Sequence, residues 1–579
     1  MKVLLTAINA KYIHTNIAIR YLKEYAKDSV KSEICLAEYT INNYDEQIID
    51  EIYRQKADVV CFSVYIWNIE QVKNIIREYK KIAPKTKIIL GGPEVTYESE
   101  KFLADMPEVD IIMLGEGEET FKELIFALEN DNPINEISGL VYNDKNSGKI
   151  IMTKPRDEFS MEKLPFPYPD IKELKNKIFY FESQRGCPFR CSYCLSSVSR
   201  NVRFMPLDMV FRYLDIFLEN GARQVKFVDR TFNTKKDYAL AIWKYLKEHD
   251  NCITNFHFEI TAHLLDEETL EFLKTVRKEQ FQFEVGVQST NPETIKAINR
   301  TTNTEKLMKI CQKVDSFKNI HQHLDLIAGL PYEDIASFKN SFDTVISIRP
   351  QQLQLGFLKV LKGSQMYLDA QKYGIIYKDK APYEMLLTDF LSYDDVLLLK
   401  GTCEMTESFY NSGRFINTLN YLLEKTQSAF DFFSSLGEYY VENNLHLTSH
   451  SKEEMHTILK DFYENSYGEY DDFLKQIVLF DICLHEKPKK LPEFIDISYS
   501  NDYKEKIAEF FKDKENFKKY IPDAKDEDIK WASKNYHLQI FKYDVADGKT
   551  APKETAILFD YKNRDLLSNA YFIKIDNLV

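Results

Sequence analysis

Short apolar runs alternate with amphipathic stretches along the first 130 residues of the chain. The apolar runs are rich in β-branched residues and predict five strands, and the stretches between them have the period of helices. Buried strands that alternate with helices indicate a parallel sheet covered on both faces, which binds ligands at the carboxyl ends of its strands. The predicted strands are 2–7, 33–38, 58–64, 86–90 and 110–114, and the predicted helices are 17–27, 46–55, 69–82, 97–104 and 119–129.

The same alternation resumes at about residue 177 and continues to about residue 360. Six further apolar runs separated by helical periods predict a second α/β region. The predicted strands are 178–182, 224–228, 256–260, 281–287, 323–328 and 352–357, and the helices between them include 209–220, 237–249, 266–278, 292–298 and 304–317.

A connector separates the two α/β regions. Residues 139–142 and 149–153 flank a turn-rich loop at 143–148, and this pattern predicts a hairpin. Three alternating prolines between residues 164 and 169 then favour an extended strap with little helix.

The last third of the chain has mostly helical periodicity and is rich in Tyr and Phe, which we expect to pack a core. Residues 537–544 and 554–561 predict two strands. His446, His450 and His456 are spaced too irregularly for a metal site, so we expect them at polar surface positions. The sequence therefore predicts four segments, which are 1–135, 136–176, 177–370 and a mostly helical 371–579.

Composition narrows the class of partner. The 579 residues carry a formal charge of −14, which argues against a nucleic-acid partner because such partners usually require a basic face. No apolar run approaches the length of a membrane span, and the apolar stretch at the N-terminus is too short for a signal peptide. Nine cysteines with a single cluster suggest a reducing cytoplasm.

The single cysteine cluster carries the most specific chemistry. Cys187, Cys191 and Cys194 have the spacing C-x3-C-x2-C. Three thiolates in one turn suit three irons of a cubane cluster and leave the fourth iron open to a small molecule. A closed zinc site would require a fourth ligand, the nearest downstream histidine is His249, and a disulfide set would leave one thiol unpaired. These alternatives and a chance cluster are weaker than the iron–sulfur interpretation.

This motif, with Tyr193 before its last cysteine and a predicted strand before the motif, resembles that of the radical S-adenosylmethionine (SAM) superfamily. The resemblance implies a partial (β/α)6 barrel in which the open iron of a 4Fe-4S cluster chelates SAM. It further implies that one electron cleaves SAM to methionine and a 5′-deoxyadenosyl radical. An electron donor such as flavodoxin or ferredoxin and an anaerobic setting follow from the same resemblance.

Polar residues at the predicted strand ends are candidates to bind SAM. Asp229 follows the second strand of this region, Glu259 lies in the third, and Gln288 and Ser289 close the fourth. The superfamily uses these places, together with the aromatic residue at Tyr193, to hold the ammonium, ribose and adenine of SAM. The alternative for each is a helix or turn cap, a role that Asp and Ser often take.

Three strand ends of the first region are also suited to a ligand, because glycines let a cofactor approach the backbone closely. No G-x-G-x-x-G follows the first strand, which disfavours a dinucleotide. Combined with the cysteine motif, these turns resemble the Rossmann-like cobalamin-binding domain of the cobalamin-dependent (class B) radical SAM proteins, here with a C-terminal accessory domain of unassigned function. The candidate cobalamin residues are Ser63 and Tyr65 after the third strand, Gly91, Gly92 and Pro93 after the fourth, and Gly115, Glu116, Gly117 and Glu118 after the fifth.

His14 departs from the cobalt-ligating pattern of cobalamin mutases. Those proteins have D-x-H-x-x-G, whereas no Asp lies two residues before His14 and no Gly lies three residues after it. We therefore favour His14 as a polar contact near the cofactor or a packing residue over a cobalt ligand. Tyr65 or Trp67 is the alternative residue to cover the lower face of the corrin.

The resemblance implies methyl transfer to an unactivated carbon through a 5′-deoxyadenosyl radical and methylcobalamin, with a small molecule or peptide as substrate. Two alternatives stay open. One is oxidation, cyclisation or ring contraction without methylation, and the other is a cobalamin- or redox-sensing module without turnover. The acidic charge argues against a tRNA methylthiotransferase, as does the absence of a basic terminal domain.

Overall fold

The computed structural model describes residues 1–144, 147–495, 501–521, 528–564, 569–575 and 578, without the side chains of 501 and 502. The chain divides into two compact units. The first comprises Met1–Asp334 and Gly356–Ser392, and the second comprises Ile335–Leu355 and Tyr393–Val579. Among the described residues, no helix is both long and apolar enough to cross a membrane. The four segment boundaries that the sequence suggests stay a prediction.

The first unit begins with a seven-stranded sheet in the order β2-β1-β3-β4-β5-β6-β7. Strands β1 to β5 pair in parallel, which confirms the predicted doubly wound region, and β6 and β7 add an antiparallel hairpin. The strands are β1 (Lys2–Asn9), β2 (Glu33–Thr40), β3 (Val59–Ser63), β4 (Lys87–Gly91), β5 (Ile111–Met113), β6 (Leu140–Asp144) and β7 (Lys149–Met152), and the helices are α1 (Ile17–Ala26), α2 (Asp45–Gln55), α3 (Ile69–Ile82), α4 (Pro93–Thr96), α5 (Ser99–Asp105) and α6 (Glu118–Glu129).

Apolar side chains of these strands alternate between two cores, one on each face of the sheet. Leu4 and Val60 contribute to the core that includes α2, α3 and α5, whereas Val3 and Val59 contribute to the core that includes α1 and α6. Burial on both faces explains why the strand sequences are continuous apolar runs.

The structure corrects one local prediction for this region and confirms another. The helix predicted at 97–104 is present as α5, which begins at Ser99 because Glu98 before it is in the left-handed conformation at φ 56°, and the short helix α4 upstream of it was not predicted. The predicted hairpin is present as β6 and β7, and residues 145 and 146 of its predicted loop lie outside the described residues.

The second sheet is a partial (β/α)6 barrel with the strand order β15-β14-β13-β12-β11-β8. All six predicted strands are present, and β8, β11, β12, β13 and β14 pair in parallel. The strands are β8 (Phe179–Phe181), β9 (Gln184–Arg185), β10 (Arg203–Phe204), β11 (Gln224–Phe227), β12 (Asn255–Ile260), β13 (Phe281–Gln288), β14 (His321–Ala328) and β15 (Gln352–Phe357), and the helices are α7 (Leu207–Glu219), α8 (Lys236–Glu248), α9 (Glu267–Leu273), α10 (Pro292–Ala297) and α11 (Thr304–Ser316).

The second unit is mostly helical, as predicted, and ends in a three-stranded antiparallel sheet of which the sequence predicted two strands. The rest of the first unit holds α13 (Gln365–Asp369), β16 (Ile376–Tyr377) and β17 (Met385–Leu387). Elements of the second unit are α12 (Ile335–Ile346), α14 (Tyr393–Met405), α15 (Ile416–Glu424), α16 (Ala429–Glu442), α17 (Lys452–Ser466), α18 (Asp472–His485), α19 (Asn501–Phe510), α20 (Lys514–Tyr520), α21 (Ile529–Asn535), β18 (Tyr536–Asp544), β19 (Lys549–Arg564) and β20 (Ala570–Ile575).

The expected surface position of the three histidines is correct for one of them. His446 is exposed, but the side chain of His450 is only 8% exposed, and His456 is only 4% exposed. The ring of His456 packs against Phe415 with 4.4 Å between the ring centroids. The prediction was wrong for His456 because the polar residues around it in sequence point away from the apolar face of α17 that buries it.

Candidate cluster and cofactor site

The cysteine loop is held between two short antiparallel strands, β9 and β10. Gly186 precedes the first cysteine with φ +95°, and a Cβ there would lie 2.3 Å from the carbonyl oxygen of Asn201. The amide of Cys187 donates to the Ser199 carbonyl at 3.0 Å. The close approach of backbone to backbone therefore requires glycine at 186, and it fixes where the first thiol lies.

Three free thiols line one wall of a single cavity. Cys187 and Cys191 are buried, and Cys194 is half-buried. Burial raises the pKa of the Cys191 thiol, while the guanidinium of Arg300 acts in the opposite direction through a contact of 3.7 Å between Nη1 and Sγ.

This donor set fits an iron–sulfur cluster that takes three cysteine ligands. A metal ion deprotonates a coordinating thiol, which offsets the effect of burial on Cys191. Among the described residues, no three side chains of His, Cys, Asp or Glu are grouped closely enough to hold a single metal ion. A cubane needs no such grouping around one ion, because each of its ligands binds a different corner.

Tyr193, Glu259 and Gln288 share this cavity with the thiols, so the structure brings three of the five predicted SAM residues to the cysteines. The cavity contains about 860 Å³ of empty space, part of which is open to solvent. Burial raises the pKa of the Glu259 carboxyl to about 7, and the neighbouring Arg230 opposes that shift.

Asp229 and Ser289 are buried behind the cavity wall. The carboxylate of Asp229 accepts hydrogen bonds from the amide and hydroxyl of Ser183, both at 2.9 Å, and from the amide of Gln184 at 2.6 Å. Asp229 thus orients the segment that leads into the cysteine loop. The hydroxyl of Ser289 donates to Glu333 at 2.5 Å. Contact of either residue with SAM stays a prediction.

Four charged residues that sequence reasoning missed also line the cavity: Arg230, Glu284, Arg300 and Asp325. Glu284 accepts bonds from His257 at 2.9 Å and from Lys226 at 3.2 Å, so it belongs to a polar layer inside the barrel. The alternation along β13 was the available signal, because Glu284, Gly286 and Gln288 lie on the same side of that strand.

Arg300 follows α10, and hydrogen bonds of its guanidinium orient it toward the cysteines. Its Nη2 donates to the carbonyl of Gly286 at 2.6 Å, and its Nη1 lies 3.2 Å from the hydroxyl of Tyr193. The contact with Cys191 brings the cationic guanidinium of Arg300 next to the thiols.

On the first sheet, the predicted cobalamin turn after β5 is open at Gly115, whereas the turn after β4 packs closely against the backbone of Val64 at Gly92. Gly92 has φ +118°, and Gly115 has φ +70° with nothing within 4 Å of the position a Cβ would take. Tyr65 and Trp67 stack with 4.5 Å between the ring centroids, and Trp67 is 44% exposed. The empty side of Gly115 and the stacked pair, of which Trp67 is exposed, fit the approach of a flat macrocycle. Gly91 ends β4, Pro93 begins α4, and Ser63 accepts a bond from Asn16 at 3.3 Å.

The carboxylates of Glu116 and Glu118 form ion pairs with arginines of the protein. Glu116 accepts bonds from Arg203 at 2.6 and 2.9 Å, and Glu118 accepts one from Arg185 at 2.6 Å. Gly117 between them is the residue before α6. These ion pairs connect the turn after β5 to the two strands that hold the cysteine loop.

His14 contacts the second sheet of the same unit. Its Nδ1 is hydrogen-bonded to the hydroxyl of Tyr180, and the two rings stack at 5.9 Å between centroids. Burial, with help from Lys11, lowers the pKa of the imidazole. This contact is of the packing kind that the sequence favoured, and its relation to cobalamin stays a prediction.

Family models match the two α/β regions and most of the last third of the chain. Residues 3–125 match the B12 binding domain, residues 181–345 match the Radical SAM superfamily, and residues 371–559 match DUF4080, a protein family of unknown function.

Individual relatives agree with these matches. The chain is 26% identical over 264 residues to "Uncharacterized methyltransferase PH0819" of Pyrococcus horikoshii, which covers 44% of this chain and 56% of that protein. It is 23% identical over 318 residues to "Cobalamin-dependent radical SAM methyltransferase TokK" of Streptomyces tokunonensis, over 50% and 45% of the two chains. The chain thus spans about half the length of the curated relatives it matches.

Among solved structures, the cobalamin-dependent SAM radical enzyme OxsB, with aqua-cobalamin and SAM bound, aligns with a TM-score of 0.59 at 18% identity. The alignment covers 81% of this chain and 76% of OxsB, and at this identity it shows the shared fold. The chain is a radical SAM protein with an N-terminal B12-binding domain and a C-terminal DUF4080 domain.

Proposed function

We propose that this protein is a cobalamin-dependent radical SAM enzyme that transfers a methyl group to an unactivated carbon. One observation carries the proposal: the guanidinium of Arg230 interacts electrostatically with Cys194, Glu259 and Tyr65. The charge of one side chain therefore interacts with the cysteine loop, the barrel and the loop after β3. Arg230 thus interacts with residues of both sites that the sequence assigns to separate cofactors.

The cofactors supply the difficult chemistry, because the cluster and SAM provide a 5′-deoxyadenosyl radical and cobalamin carries the methyl group. The protein supplies binding and orientation. Cys187, Cys191 and Cys194 hold three irons, and Glu259 and Gln288 are placed to accept or donate hydrogen bonds to a ligand in the same cavity. The chemistry requires no general base, and we assign none.

The relatives support the same proposal. TokK is named a cobalamin-dependent radical SAM methyltransferase, and a second relative from Streptantibioticus cattleyicolor is named a carbapenam carboxylate methyltransferase. We extend from them a small-molecule or peptide substrate and a cytoplasmic electron donor such as flavodoxin or ferredoxin. The acidic net charge of −14 supports the absence of a nucleic-acid partner.

The test is anaerobic purification with cobalamin supplied, followed by incubation with SAM and a reductant. We expect both 5′-deoxyadenosine and S-adenosylhomocysteine, since methylation consumes one SAM as methyl donor and one as radical source. Deoxyadenosine alone would replace the proposal with oxidation, cyclisation or ring contraction, and the absence of both products would favour a sensing module.

The matched variants separate the two cofactors. Cys191→Ala removes one of three thiols, so we expect SAM cleavage to disappear while cobalamin uptake, measured by its absorption spectrum, is largely retained. Cys252→Ala is the control, because Cys252 is an exposed thiol outside the cavity. Unchanged cleavage in Cys191→Ala would refute the assignment of the cluster.

A further inference from the structure

The DUF4080 domain contains three buried nitrogen atoms that lack a partner. Among the described residues, Nε of Arg414, Nδ1 of His456 and Nδ1 of His485 are each buried without a hydrogen bond. His456 itself is 96% buried, since its exposure is 4%. A buried polar atom without a partner costs about 1–3 kcal/mol, so three of them close together call for an explanation.

The three side chains are neighbours. Arg414 precedes α15, His456 lies in the second turn of α17, and His485 ends α18. Arg414 and His485 both act electrostatically on His456, and Phe415 brings the chain of Arg414 against the His456 ring at 4.4 Å. The packing of three separate elements therefore places these groups together.

The charge around them is positive. Lys452 and Glu486 neutralise each other through an ion pair of 2.6 Å, and Nη1 of Arg564 donates to the His485 carbonyl at 2.9 Å. Arg414, Lys452 and Arg564 all act on His485 as cations, against the single acid Glu486. Cations therefore outnumber acids around His485, although the whole chain has a net charge of −14.

We propose that Arg414, His456 and His485 form a binding site for an oxyanion of the phosphate or carboxylate class. Arginine presents a planar fork of donors that matches both kinds of anion, and each imidazole can offer one N–H in its neutral form. An anion there would satisfy the three unpartnered nitrogens and balance the excess charge. The site is independent of the cluster and cofactor site in the first unit, so it does not rest on the function proposed above.

Binding should also be linked to protons. Burial, the cation Arg414 and the neighbouring ring of His485 lower the pKa of His456 to about 3, so its ring is neutral at pH 7. An anion beside the ring raises that pKa, and by linkage the anion binds more tightly as the pH falls. The other charged groups that face the pair are Lys452, Glu486 and Arg564.

The experiment titrates the full-length protein with inorganic phosphate and, separately, with acetate, against chloride of equal ionic strength. Calorimetry is expected to show saturable binding of one or both anions, and the two arms tell the phosphate source from the carboxylate source. Arg414→Gln should weaken binding at least tenfold, whereas Lys489→Gln, which removes an exposed cation after α18, should change it less than twofold.

A second readout does not depend on the stability of a variant. In the wild-type protein with carbon-13-labelled histidine, the ring signals of His456 and His485 should shift with phosphate or acetate, and the other nine of the 11 histidines should not. No saturable signal beyond chloride, or equal binding by Arg414→Gln that is folded by circular dichroism, would overturn the proposal. Those outcomes would mean that buried water satisfies the three nitrogens.

Discussion

Replacement of Arg185 by Met should uncouple the turn after β5 from the cysteine loop. The guanidinium, 12% exposed, lies 2.6 Å from Glu118, 2.9 Å from Glu182 and 3.8 Å from Glu116. The side chain of Glu118 is 6% exposed and that of Glu182 is 17% exposed. Met occupies a similar volume but leaves Glu118 and Glu182 without their cation, whereas Glu116 keeps its ion pair with Arg203.

The magnitude follows from the burial of the acids. Removing one partner of a buried ion pair costs about 3–5 kcal/mol, because the remaining charge is left uncompensated. Adding Glu118→Gln to Arg185→Met removes one uncompensated charge, so the double variant should be less destabilised than the sum of the two single variants. We expect a coupling energy of about 2–3 kcal/mol, in the range measured for close charge pairs.

Urea unfolding followed by circular dichroism at pH 7.5 measures the four proteins of the cycle. Lys309 and Glu305 provide the control pair in the same unit, because their side chains are 71% and 79% exposed and lie one turn apart on α11. Their coupling should not exceed about 0.5 kcal/mol. If the effects of Arg185→Met and Glu118→Gln add to within about 0.5 kcal/mol, the ion pair does not connect these elements and the reasoning fails.

Three further predictions concern other parts of the chain. Gly92→Ala would place a Cβ in a backbone conformation that only glycine adopts and against the backbone of Val64, so it should lower the stability in thermal unfolding by about 2–6 kcal/mol. The control Gly115→Ala should cost only about 1 kcal/mol, and equal losses for the two variants would contradict this reasoning. Arg300→Gln removes a donor to Cys191 that stabilises the electron-rich reduced cluster, so the midpoint potential of the cluster should fall by about 50–100 mV in an electron paramagnetic resonance titration. An unchanged potential would show that the contact does not affect the cluster. The pKa of His456 is about 3 in the fold against 6.5 in the unfolded chain, so only the unfolded chain gains this proton as the pH falls from 7.5 to 5.5. In phosphate-free buffer, His456→Phe should therefore reduce the loss of stability over this range by about 1.4 kcal/mol. Identical pH profiles of the two proteins would show that the ring is not buried.

Periodicity predicted the strands of the first sheet well because both of its faces are buried against helices. Leu4 and Val3 are adjacent in sequence and enter different cores, and a run of such residues is apolar throughout. The third strand of the terminal sheet, β20, escaped prediction because three consecutive apolar residues, Tyr571, Phe572 and Ile573, are all at least 40% exposed, so apolar and polar positions do not alternate along it.

Strand-end position predicted which residues meet at the cavity but not which side each faces. Asp229 and Arg230 are adjacent at the end of β11, so their side chains point in different directions. The carboxylate of Asp229 turns to three donors of Ser183 and Gln184, and the guanidinium of Arg230 lines the cavity. Sequence alone made Asp229 a candidate because an acid suits the ammonium or ribose hydroxyls of SAM, and nothing local shows that buried amides compete for it.

The same competition changes how the turn after β5 should be tested as a cobalamin site. The carboxylates of Glu116 and Glu118 are bound by Arg203 and Arg185, so substitution of either acid would disturb the cysteine loop as well as any corrin above the turn. Loss of cobalamin from such a variant would not distinguish contact from misplacement. Gly115 avoids this ambiguity, because a Cβ there meets no protein atom within 4 Å and a side chain would extend into the space where a cofactor is expected. Gly115→Leu should therefore weaken cobalamin uptake while SAM cleavage in its absence persists, and the reverse pattern would place the corrin elsewhere.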